Sequence, residues 1–409
     1  MEDLNIIPDG WDISQNIIKV IGVGGGGCNA VTEMYRQGIK DVDFMICNTD
    51  MQSLKNSQVP EVLRLGSDLT KGLGAGCDPE KGRKAATESI EEIRKSLQGN
   101  TEMVFITAGM GGGTGTGAAP VIAQVAKEMG KLTVAVVTLP FRDEGHDFIK
   151  RAVLGIHELK KHVDSLLIID NQKLYNVFGE LTIFDAFPRA DEVLSTAVRS
   201  IADIINRPGF INVDFADVRM VMNNSGMAIM GMGEAEGPDR AIDAVQKALD
   251  SPLLNDCDLT TAKGVLVNIT SSKEDGGLTM AELSQIMEQV RSYTGGVFNK
   301  FKRGVVYDPN IGKKISVTIV ATGFEINSLP QIEMPEETLD GDTWVINDPG
   351  NTEQEEDAAV AATTEKQVYI KPEGKPALIL EPTDDISQLE RVPAYIRRNK
   401  KLSGIIAEN

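Results

Sequence analysis

Two stretches of sequence decide the fold of this chain, and in each an apolar run passes into glycines. The first is NIIKVIGVGGGGCNA, residues 16–30, and the second is MVFITAGMGGGTGTG, residues 103–117. Each combines a strand-like run, a glycine turn and the start of a helical pattern. Backbone N–H groups and the helix dipole at such a turn attract phosphate. Taken alone, the first stretch suits a phosphate loop or a tight turn that binds no ligand.

The number of glycine loops separates two classes of nucleotide-binding protein. A nicotinamide or flavin enzyme needs one loop, with Asp43 or Asp50 as the acid expected on the ribose about 20 residues further on. Two loops suit a nucleoside triphosphate that is gripped from both sides, and Thr114 and Thr116 add hydroxyl donors. The sequence lacks Gly-Lys-Ser/Thr, so the phosphate-binding lysine of P-loop enzymes is missing and another group must supply catalysis.

Outward from these loops, strand-like runs alternate with helical patterns, which predicts an α/β fold with a parallel sheet. The predicted strands are residues 16–23, 43–47, 103–107, 133–139, 165–169, 218–222, 264–270, 305–307 and 315–321. The predicted helices are residues 28–37, 79–97, 118–129, 146–162, 239–249 and 279–293, with one long helix over 185–205 that could bridge two domains. Alternation in residues 315–319 predicts a half-exposed strand of a mixed sheet.

Composition excludes several classes of protein. The 409 residues correspond to two or three domains at roughly 150 residues each. The net charge of −19 would repel nucleic acid from most of the surface. No apolar run reaches the roughly 18 residues of a membrane span, so we expect a cytoplasmic protein. Cys28, Cys47, Cys77 and Cys257 are far apart in the sequence, which predicts neither a zinc site nor a disulfide framework.

The carboxyl-terminal part of the sequence changes character. Residues 331–390 hold 16 Asp and Glu against 3 Lys, which predicts a disordered acidic linker. Residues 391–409 are basic, with 5 Lys and Arg against one Glu.

The run GGGTGTG at residues 111–117 is the tubulin-type signature, and the chain resembles the FtsZ family of tubulin-like bacterial division GTPases. The resemblance covers residues 15–325 continuously and a short peptide near the end. It extends to GVGGGGCNA (22–30), NTD (48–50), LGAG with Pro79 (73–76), TLPF (138–141) and NVDFADVR (212–219).

The resemblance implies a tubulin-like fold made of successive parts. A Rossmann-type, parallel-sheet nucleotide-binding domain over residues 15–184 would follow an extension over 1–14. A central helix over 185–209 would lead into a smaller mixed-sheet domain over 210–325. The acidic linker, residues 326–388, and a partner-binding peptide with a basic end, residues 389–409, would complete the chain.

By resemblance, GTP, with Mg²⁺ as the expected metal ion, would lie across the two glycine loops, and no metal site made by the protein alone is expected. The matching positions in the loops are Gly24, Gly25, Gly26, Gly27, Gly111, Gly112, Gly113, Thr114, Gly115, Thr116 and Gly117. Ala75 and Gly76 would lie near the γ-phosphate and Glu144 near the ribose. Asn29, Asn171, Phe187 and Asp191 match the guanine site.

Two of these positions, Asp191 and Phe187, carry side chains that suit recognition of guanine. A carboxylate at Asp191 can accept hydrogen bonds from guanine N1–H and N2, which adenine cannot offer. Phe187, four residues earlier on the same helical face, could stack on the base. The alternatives are core packing for Phe187 and a solvated helix face for Asp191.

The motif Asn212-x-Asp214-x-x-Asp217 is the candidate catalytic group. Two carboxylates three residues apart can orient water or share a cation, but Asn212 or Asp214 could equally cap a turn. By resemblance, this loop enters the nucleotide site of the next subunit and completes it. A head-to-tail contact that does not close makes a filament, so polymerisation and hydrolysis would be linked.

Other functions remain as alternatives at this point. A nucleotide-binding scaffold that polymerises with little hydrolysis is disfavoured by the intact Asp214 and Asp217, and an oxidoreductase by the second glycine loop. His146, His157 and His162 have no nucleophile or acid partner in a recognisable spacing, so we expect surface histidines. The methionines of residues 227–232 predict core packing or a subunit contact rather than metal binding.

Residues 389–398 resemble the family's partner-binding peptide, which implies docking to a membrane-tethering division adaptor at the mid-cell ring, beside self-association of the chain. No nucleic acid partner and no membrane span are expected. A soluble tail without a partner is the alternative.

One position departs from the family pattern. An arginine usually lies four residues after the Glu of the Glu-Gly pair, and here Phe148 takes that position. If residues 146–162 are helical, Arg151 shares the face of Phe148 and could substitute for the missing arginine. The alternative is a solvent-facing Arg151 and a site that does without one.

Overall fold

The computed structural model describes residues 16–55, 57–172, 183–207, 209–251, 259–273, 276–295 and 300–324. The predicted linker over 326–388 and the peptide over 389–409 lie outside these residues, as does the extension over 1–14.

The strands of the described part form a single sheet. They are β1 (Ile18–Val23), β2 (Asp43–Asn48), β3 (Glu61–Arg64), β4 (Met103–Gly109), β5 (Leu132–Leu139), β6 (Ser165–Asp170), β7 (Gly209–Ile211), β8 (Gly226–Ala235), β9 (Gly264–Ser271), β10 (Lys300–Tyr307) and β11 (Ile315–Phe324). Their order is β3-β2-β1-β4-β5-β6-β8-β11-β9-β10-β7. The first seven strands in this order are parallel to one another, while β11 is antiparallel to both β8 and β9.

The helices pack on both faces of this sheet. They are α1 (Gly24–Arg36), α2 (Met51–Lys55), α3 (Ser67–Thr70), α4 (Pro79–Glu88), α5 (Ile90–Ser96), α6 (Thr114–Glu128), α7 (His146–His162), α8 (Ile183–Asn206), α9 (Phe215–Met222), α10 (Arg240–Leu249) and α11 (Met280–Tyr293). Two large clusters of buried apolar side chains, one on each face, hold the layers together. The predicted α/β fold is thereby confirmed.

The strand order places the two glycine loops side by side. The order 3-2-1-4-5-6 reverses between β1 and β4, which lie next to each other and run parallel. In an open parallel sheet, ligands bind beyond the carboxyl ends of the strands at such a reversal. The loops that follow β1 and β4 are the two glycine-rich stretches.

The central helix α8 is fastened to the helix that begins at the first glycine loop. Beyond the end of α1, Gln37 Oε1 accepts hydrogen bonds from Ser195 Oγ and Arg199 Nη2, each at 2.7 Å. At the carboxyl end of α8, Asn206 donates to the carbonyl of Asp41, which precedes β2. The carboxyl end of α8 therefore lies at the amino edge of the parallel strands.

Residues 218–222, predicted as a strand, form the end of helix α9, so that prediction was wrong. The Asp214 side chain accepts the Asp217 N–H and caps the helix at its amino end. Val218, Val221 and Met222 are buried with the spacing of one helical face. A short apolar run fits a strand or a buried helix equally well, and here the cap decides.

The strand around residues 315–319 is buried on both faces, which corrects the half-exposed strand expected from its alternation. Ile315, Val317 and Ile319 join one apolar cluster. The polar positions between them, Ser316 and Thr318, are 8% and 5% exposed and line a cavity of about 390 Å³ that α8 also lines. The polar face is therefore buried beside a cavity that lies between this strand and the central helix.

Several helix boundaries also differ from the predicted ones. Helices α1 and α6 begin inside the glycine runs, at Gly24 and Thr114, four residues earlier than predicted in each case. Pro120 consequently lies within α6 rather than at its start. The single helix predicted over residues 79–97 is two helices, α4 and α5, that meet at Ser89. Because glycine has a low helix propensity, a helix that begins within a glycine run is not predicted there from the sequence.

Three of the cysteines lie in the described part, and all three are free thiols. Cys28 and Cys47 are nevertheless neighbours, since the Cys28 thiol donates to the Cys47 carbonyl at 3.4 Å. Burial raises the pKa of Cys28 to about 12, so this thiol stays protonated and unreactive.

Candidate nucleotide site and catalytic loop

The two glycine loops pack backbone on backbone. Gly24 has φ +73° and Gly111 has φ +107°, conformations that favour glycine. A Cβ added to Gly24 would lie 2.7 Å from the Gly115 nitrogen, and one added to Gly26 would lie 3.4 Å from Gly109 Cα. A side chain at Gly24 would therefore collide with the second loop, and the two loops lie in contact at the carboxyl edge of the sheet.

The glycines of these loops have two different roles. A Cβ on Gly27, Gly115 or Gly117 would overlap a backbone carbonyl oxygen of a neighbouring segment. Gly25 and Gly112, in contrast, have nothing within 4 Å of such a Cβ. The first group therefore serves close packing, and the second borders an open cradle.

The threonines of the second loop also differ from each other. Thr114 is half-buried, and its hydroxyl lies 2.6 Å from the hydroxyl of Thr49. Thr116 is only 3% exposed, and its hydroxyl accepts the Gly111 N–H at 2.8 Å. Thr116 thus holds the loop in shape, while Thr114 lies at the open face.

A third loop, residues 73–78, lies against the second glycine loop. A Cβ on Gly113 would lie 2.8 Å from both Ala75 Cβ and the Asp78 nitrogen. Ala75 is buried here, whereas Gly76 is exposed and has φ +64°. Asp78 ends the loop by capping α4 through the Glu80 N–H. The two positions predicted near a γ-phosphate are therefore next to the glycine loops.

The remaining predicted binding residues lie at the same edge of the sheet or in α8. Asn29 is exposed one turn after Gly25 on α1. Glu144 follows β5, and its carboxylate accepts the Phe141 N–H at 2.9 Å. Asn171 follows β6, and its Oδ1 is buried with no hydrogen-bond partner among the described residues. Phe187 and Asp191 belong to the first half of α8, where only the backbone is described.

The three candidate catalytic residues form a capped turn. Asn212 Oδ1 accepts the Gly209 N–H at 2.7 Å, and Asp214 Oδ1 accepts the Asp217 N–H at 2.8 Å. Both side chains are exposed. Asp217 is half-buried and pairs with Lys302 Nζ at 2.5 Å. The capping role that the sequence allowed for Asn212 and Asp214 is thus present. These contacts use Oδ1 of Asp214 and Oδ1 of Asp217, so the other oxygen of each carboxylate is not used by them.

This candidate catalytic loop lies at the opposite edge of the sheet from the glycine loops. Arg219, on the helix that Asp214 caps, donates to the Gly130 carbonyl at 3.2 Å and lies 3.5 Å from the Glu102 carboxylate. Glu102 and Gly130 precede β4 and β5, so they mark the amino edge of the parallel strands. The seven residues of β4 place about 20 Å between the two edges. The loop of one chain therefore cannot reach the glycine loops of the same chain.

Two residues of these sites escaped the sequence analysis. Lys302, which pairs with Asp217, lies 85 positions further on in a strand of the other half of the sheet, and no local pattern connects the two. Thr49 lies within the NTD run, but its bond to Thr114 depends on the neighbouring loops. His146 and His157 are exposed, as expected of surface histidines. His162 is half-buried and lies 3.4 Å from the Glu158 carboxylate one helical turn earlier, so the expectation that no histidine has an acid partner was wrong for this residue.

The described residues contain no group of three His, Cys, Asp or Glu side chains that could hold a metal ion. Within the same residues, no helix combines the length and apolar character needed to cross a membrane.

Comparison with known proteins identifies the family. The Tubulin/FtsZ family, GTPase domain, matches residues 17–179, and the FtsZ family, C-terminal domain, matches residues 226–325. The cell division protein FtsZ of Pseudomonas putida is 46% identical over 389 residues, which cover 93% of this chain and 96% of that protein. FtsZ of Porphyromonas gingivalis is 43% identical over 403 residues, which cover 95% of this chain and 87% of that protein.

Solved structures agree with this assignment. An empty FtsZ dimer from M. jannaschii has a TM-score of 0.69 at 42% identity and covers 76% of this chain and 88% of its own. A GTPγS-bound CetZ2 protofilament from Haloferax volcanii has a TM-score of 0.64 at 22% identity, and the match covers 76% of this chain and 93% of the CetZ2 chain. At this identity the similarity shows a shared fold. The chain belongs to the FtsZ family, and its amino-terminal half is a tubulin-type GTPase domain that binds GTP.

Proposed function

We propose that this chain polymerises head to tail with GTP bound and hydrolyses that GTP at the contact between two subunits. The observation that carries the proposal is the separation of the two half-sites. The glycine loops are at the carboxyl edge of the parallel strands, and Asp214 and Asp217 are at the amino edge. One subunit alone cannot bring the two together, but stacking in one direction does so at every contact.

The residues divide the work as follows. N–H groups of residues 24–27 and 111–117 hold the phosphates, and Ala75 and Gly76 face the γ-phosphate. The carboxylates of Asp214 and Asp217 from the next subunit orient the attacking water and accept its proton. Asn212 supports the turn that presents them. Because the same contact joins unlike surfaces and does not close, it builds a filament for cell division.

Mg²⁺ enters the proposal only as an ion that accompanies the nucleotide. The described side chains form no metal cluster of their own, so phosphate oxygens and water would provide most of its ligands. We assign no step of hydrolysis to it.

The direct test of hydrolysis at a subunit contact is phosphate release at increasing protein concentration. Activity per subunit should be low in dilute protein and should rise as contacts form, with GTP but not with ATP. Full turnover by dilute monomers would contradict the shared site.

Guanine recognition is assigned to Asp191, with Asn29, Asn171 and Phe187 around the base. The unpartnered Oδ1 of Asn171 supports this, because a buried acceptor without a donor is costly and a base N–H would satisfy it. Glu144 would lie near the ribose.

Replacing Asp191 with Ala should weaken GTP binding by about 1–3 kcal/mol, since the base donors lose their acceptor. The matched control is Glu192→Ala, at the next position of α8 and so on a different face. Calorimetric titration of nucleotide-free protein with GTP and ATP measures both affinities. Equal affinity of the parent protein for the two nucleotides would refute guanine selection.

The domain limits remain part of the proposal: a nucleotide-binding domain over residues 15–184, a central helix over 185–209 and a second domain over 210–325. We further propose that residues 389–398 bind a membrane-tethering adaptor and thereby bring the filament to the mid-cell ring. The support is the mixed apolar and basic sequence at the end of an acidic stretch of 60 residues, which would span roughly 40–45 Å as a flexible coil. Residues 399–409 extend beyond the usual pattern.

Deletion of residues 389–409 should abolish binding to such an adaptor and leave GTP hydrolysis unchanged, because the glycine loops and the catalytic loop remain intact. Co-sedimentation with adaptor-loaded vesicles measures recruitment, and phosphate release serves as the control. Undiminished recruitment of the shortened chain would show that another surface is the anchor.

A further inference from the structure

Phe148 and Arg151 join two of the three loops of the nucleotide site. They lie one turn apart on α7, as its helical pattern predicted. Phe148 lies beside the second glycine loop, since a Cβ on Gly111 would be 3.0 Å from the Phe148 carbonyl oxygen and 3.3 Å from its ring. The Arg151 guanidinium carbon lies 4.5 Å from the centre of that ring, and Nη1 donates to the Cys77 carbonyl at 3.0 Å.

These contacts give Arg151 a different role from the one suggested by the sequence. The sequence pointed to a guanidinium that substitutes for a missing arginine by contacting the nucleotide. In the structure, one N–H of the Arg151 guanidinium donates to the Cys77 carbonyl, and one face of the guanidinium lies over the Phe148 ring. Its Nε is buried and has no hydrogen-bond partner among the described residues. The side chain is thus turned toward the protein.

The loop that receives this hydrogen bond contains one residue, Cys77, in an unfavourable backbone conformation. Gly74, Gly76 and Cys77 have φ values of +84°, +64° and +59°. Cys77 carries a side chain in the left-handed region, a conformation that persists only where the surroundings enforce it. Backbone hydrogen bonds hold both ends of the loop: Leu73 donates to the Thr70 carbonyl at 3.0 Å and Gly74 to the Thr49 carbonyl at 3.2 Å, and at the other end Asp78 donates to the Ala75 carbonyl at 3.4 Å. The Arg151 bond to the Cys77 carbonyl adds a contact from α7 to the segment between these two ends.

We propose that Arg151 is a positioning residue that, supported by Phe148, holds the 73–78 loop against Gly111–Gly113 before the nucleotide arrives. A loop that is already ordered pays less conformational entropy on binding, so the affinity for the triphosphate rises. The consequence for affinity rests on the proposed function, which places the γ-phosphate at Ala75 and Gly76. The consequence for loop order does not.

The test compares Arg151→Ala, Arg151→Lys and Phe148→Leu in the full chain. A matched control is Lys161→Ala at the other end of α7, where Lys161 pairs with Glu158 on the surface. Hydrogen exchange of nucleotide-free protein reports the order of residues 74–78. Arg151→Ala should accelerate exchange there about tenfold, the change expected for one lost charged hydrogen bond, with the rest of α7 unaffected. Lys at position 151 should restore part of the protection.

GTP hydrolysis gives the second readout. Arg151→Ala should raise KM for GTP about tenfold and leave kcat within about twofold at saturating GTP, and adding Phe148→Leu should cause little further change, since the two side chains act together. Weaker GTP binding with unchanged exchange would show a direct contact with the nucleotide and overturn the positioning role. Faster exchange with unchanged KM would overturn the link to affinity. If the proposed function fails, dilute subunits of the parent chain hydrolyse GTP at the full rate, while the exchange result for the nucleotide-free protein still stands.

Discussion

Asp214→Asn should lower the rate of GTP hydrolysis by about 10²- to 10⁴-fold, the range that a positioned proton acceptor contributes. GTP binding by the isolated subunit should be unchanged, because Asp214 lies at the amino edge of the sheet and the glycine loops lie at the other. Single-turnover phosphate release from filaments, with nucleotide affinity measured on monomers, separates the two quantities.

The choice of Asn at position 214 is a control built into the experiment. Asp214 also caps α9 through the Asp217 N–H, and Asn caps a helix about as well as Asp. Asp214→Ala removes the charge and the cap together and should cost about 1 kcal/mol of stability in addition. Equal loss of hydrolysis in both variants would assign the effect to the carboxylate, whereas a loss in Asp214→Ala alone would assign it to the folding of the loop.

Mixing two inactive variants tests whether the site is shared. Gly112→Val fills the open cradle and so lacks bound nucleotide, yet its Asp214 loop is intact. An Asp214→Asn subunit with bound GTP can receive that loop, so the mixture should regain hydrolysis that neither variant shows alone. A mixture that stays inactive, although the two proteins associate, would place the whole catalytic site within one chain.

Two substitutions in the same glycine loop should fail for opposite reasons. At Gly112 an added Cβ meets nothing within 4 Å, so Gly112→Ala should fold normally. The methyl group would then occupy the cradle and weaken GTP binding by about 1–3 kcal/mol, or roughly 5- to 150-fold. At Gly117 a Cβ would overlap the Pro79 carbonyl oxygen and lie 2.7 Å from the Arg83 nitrogen. Gly117→Ala should therefore force α4 and α6 apart and lower the free energy of unfolding by about 3 kcal/mol or more.

Urea unfolding and GTP titration of the two variants measure these effects. Addition of saturating GTP should stabilise the parent chain and leave Gly112→Ala with a reduced shift, since binding to the native state alone produces such stabilisation. A Gly117→Ala variant as stable as the parent would show that α4 can move, and an unchanged GTP shift in Gly112→Ala would remove Gly112 from the cradle.

The sequence by itself determined the local units of the protein. Strand, glycine turn and helix around residues 16–30 and 103–117 were predicted because hydrophobic periodicity and glycine content act over a few residues. The same holds for α7, which begins and ends where predicted, at His146 and His162. These patterns, with the tubulin-type signature, were sufficient to predict the class of ligand and the family.

Tertiary structure decided the relations that depend on distant segments. Residues 218–222 are helical because Asp214 caps them, and the face of Ser316 and Thr318 is buried beside a cavity that α8 also lines. Lys302 reaches Asp217 and Arg151 reaches Cys77 only through the order of the strands and the packing of α7. The separation of the catalytic loop from the glycine loops has the same origin. Local propensity carries no information on which edge of a sheet a segment will occupy, since chain topology and the burial of both faces of the sheet fix that edge.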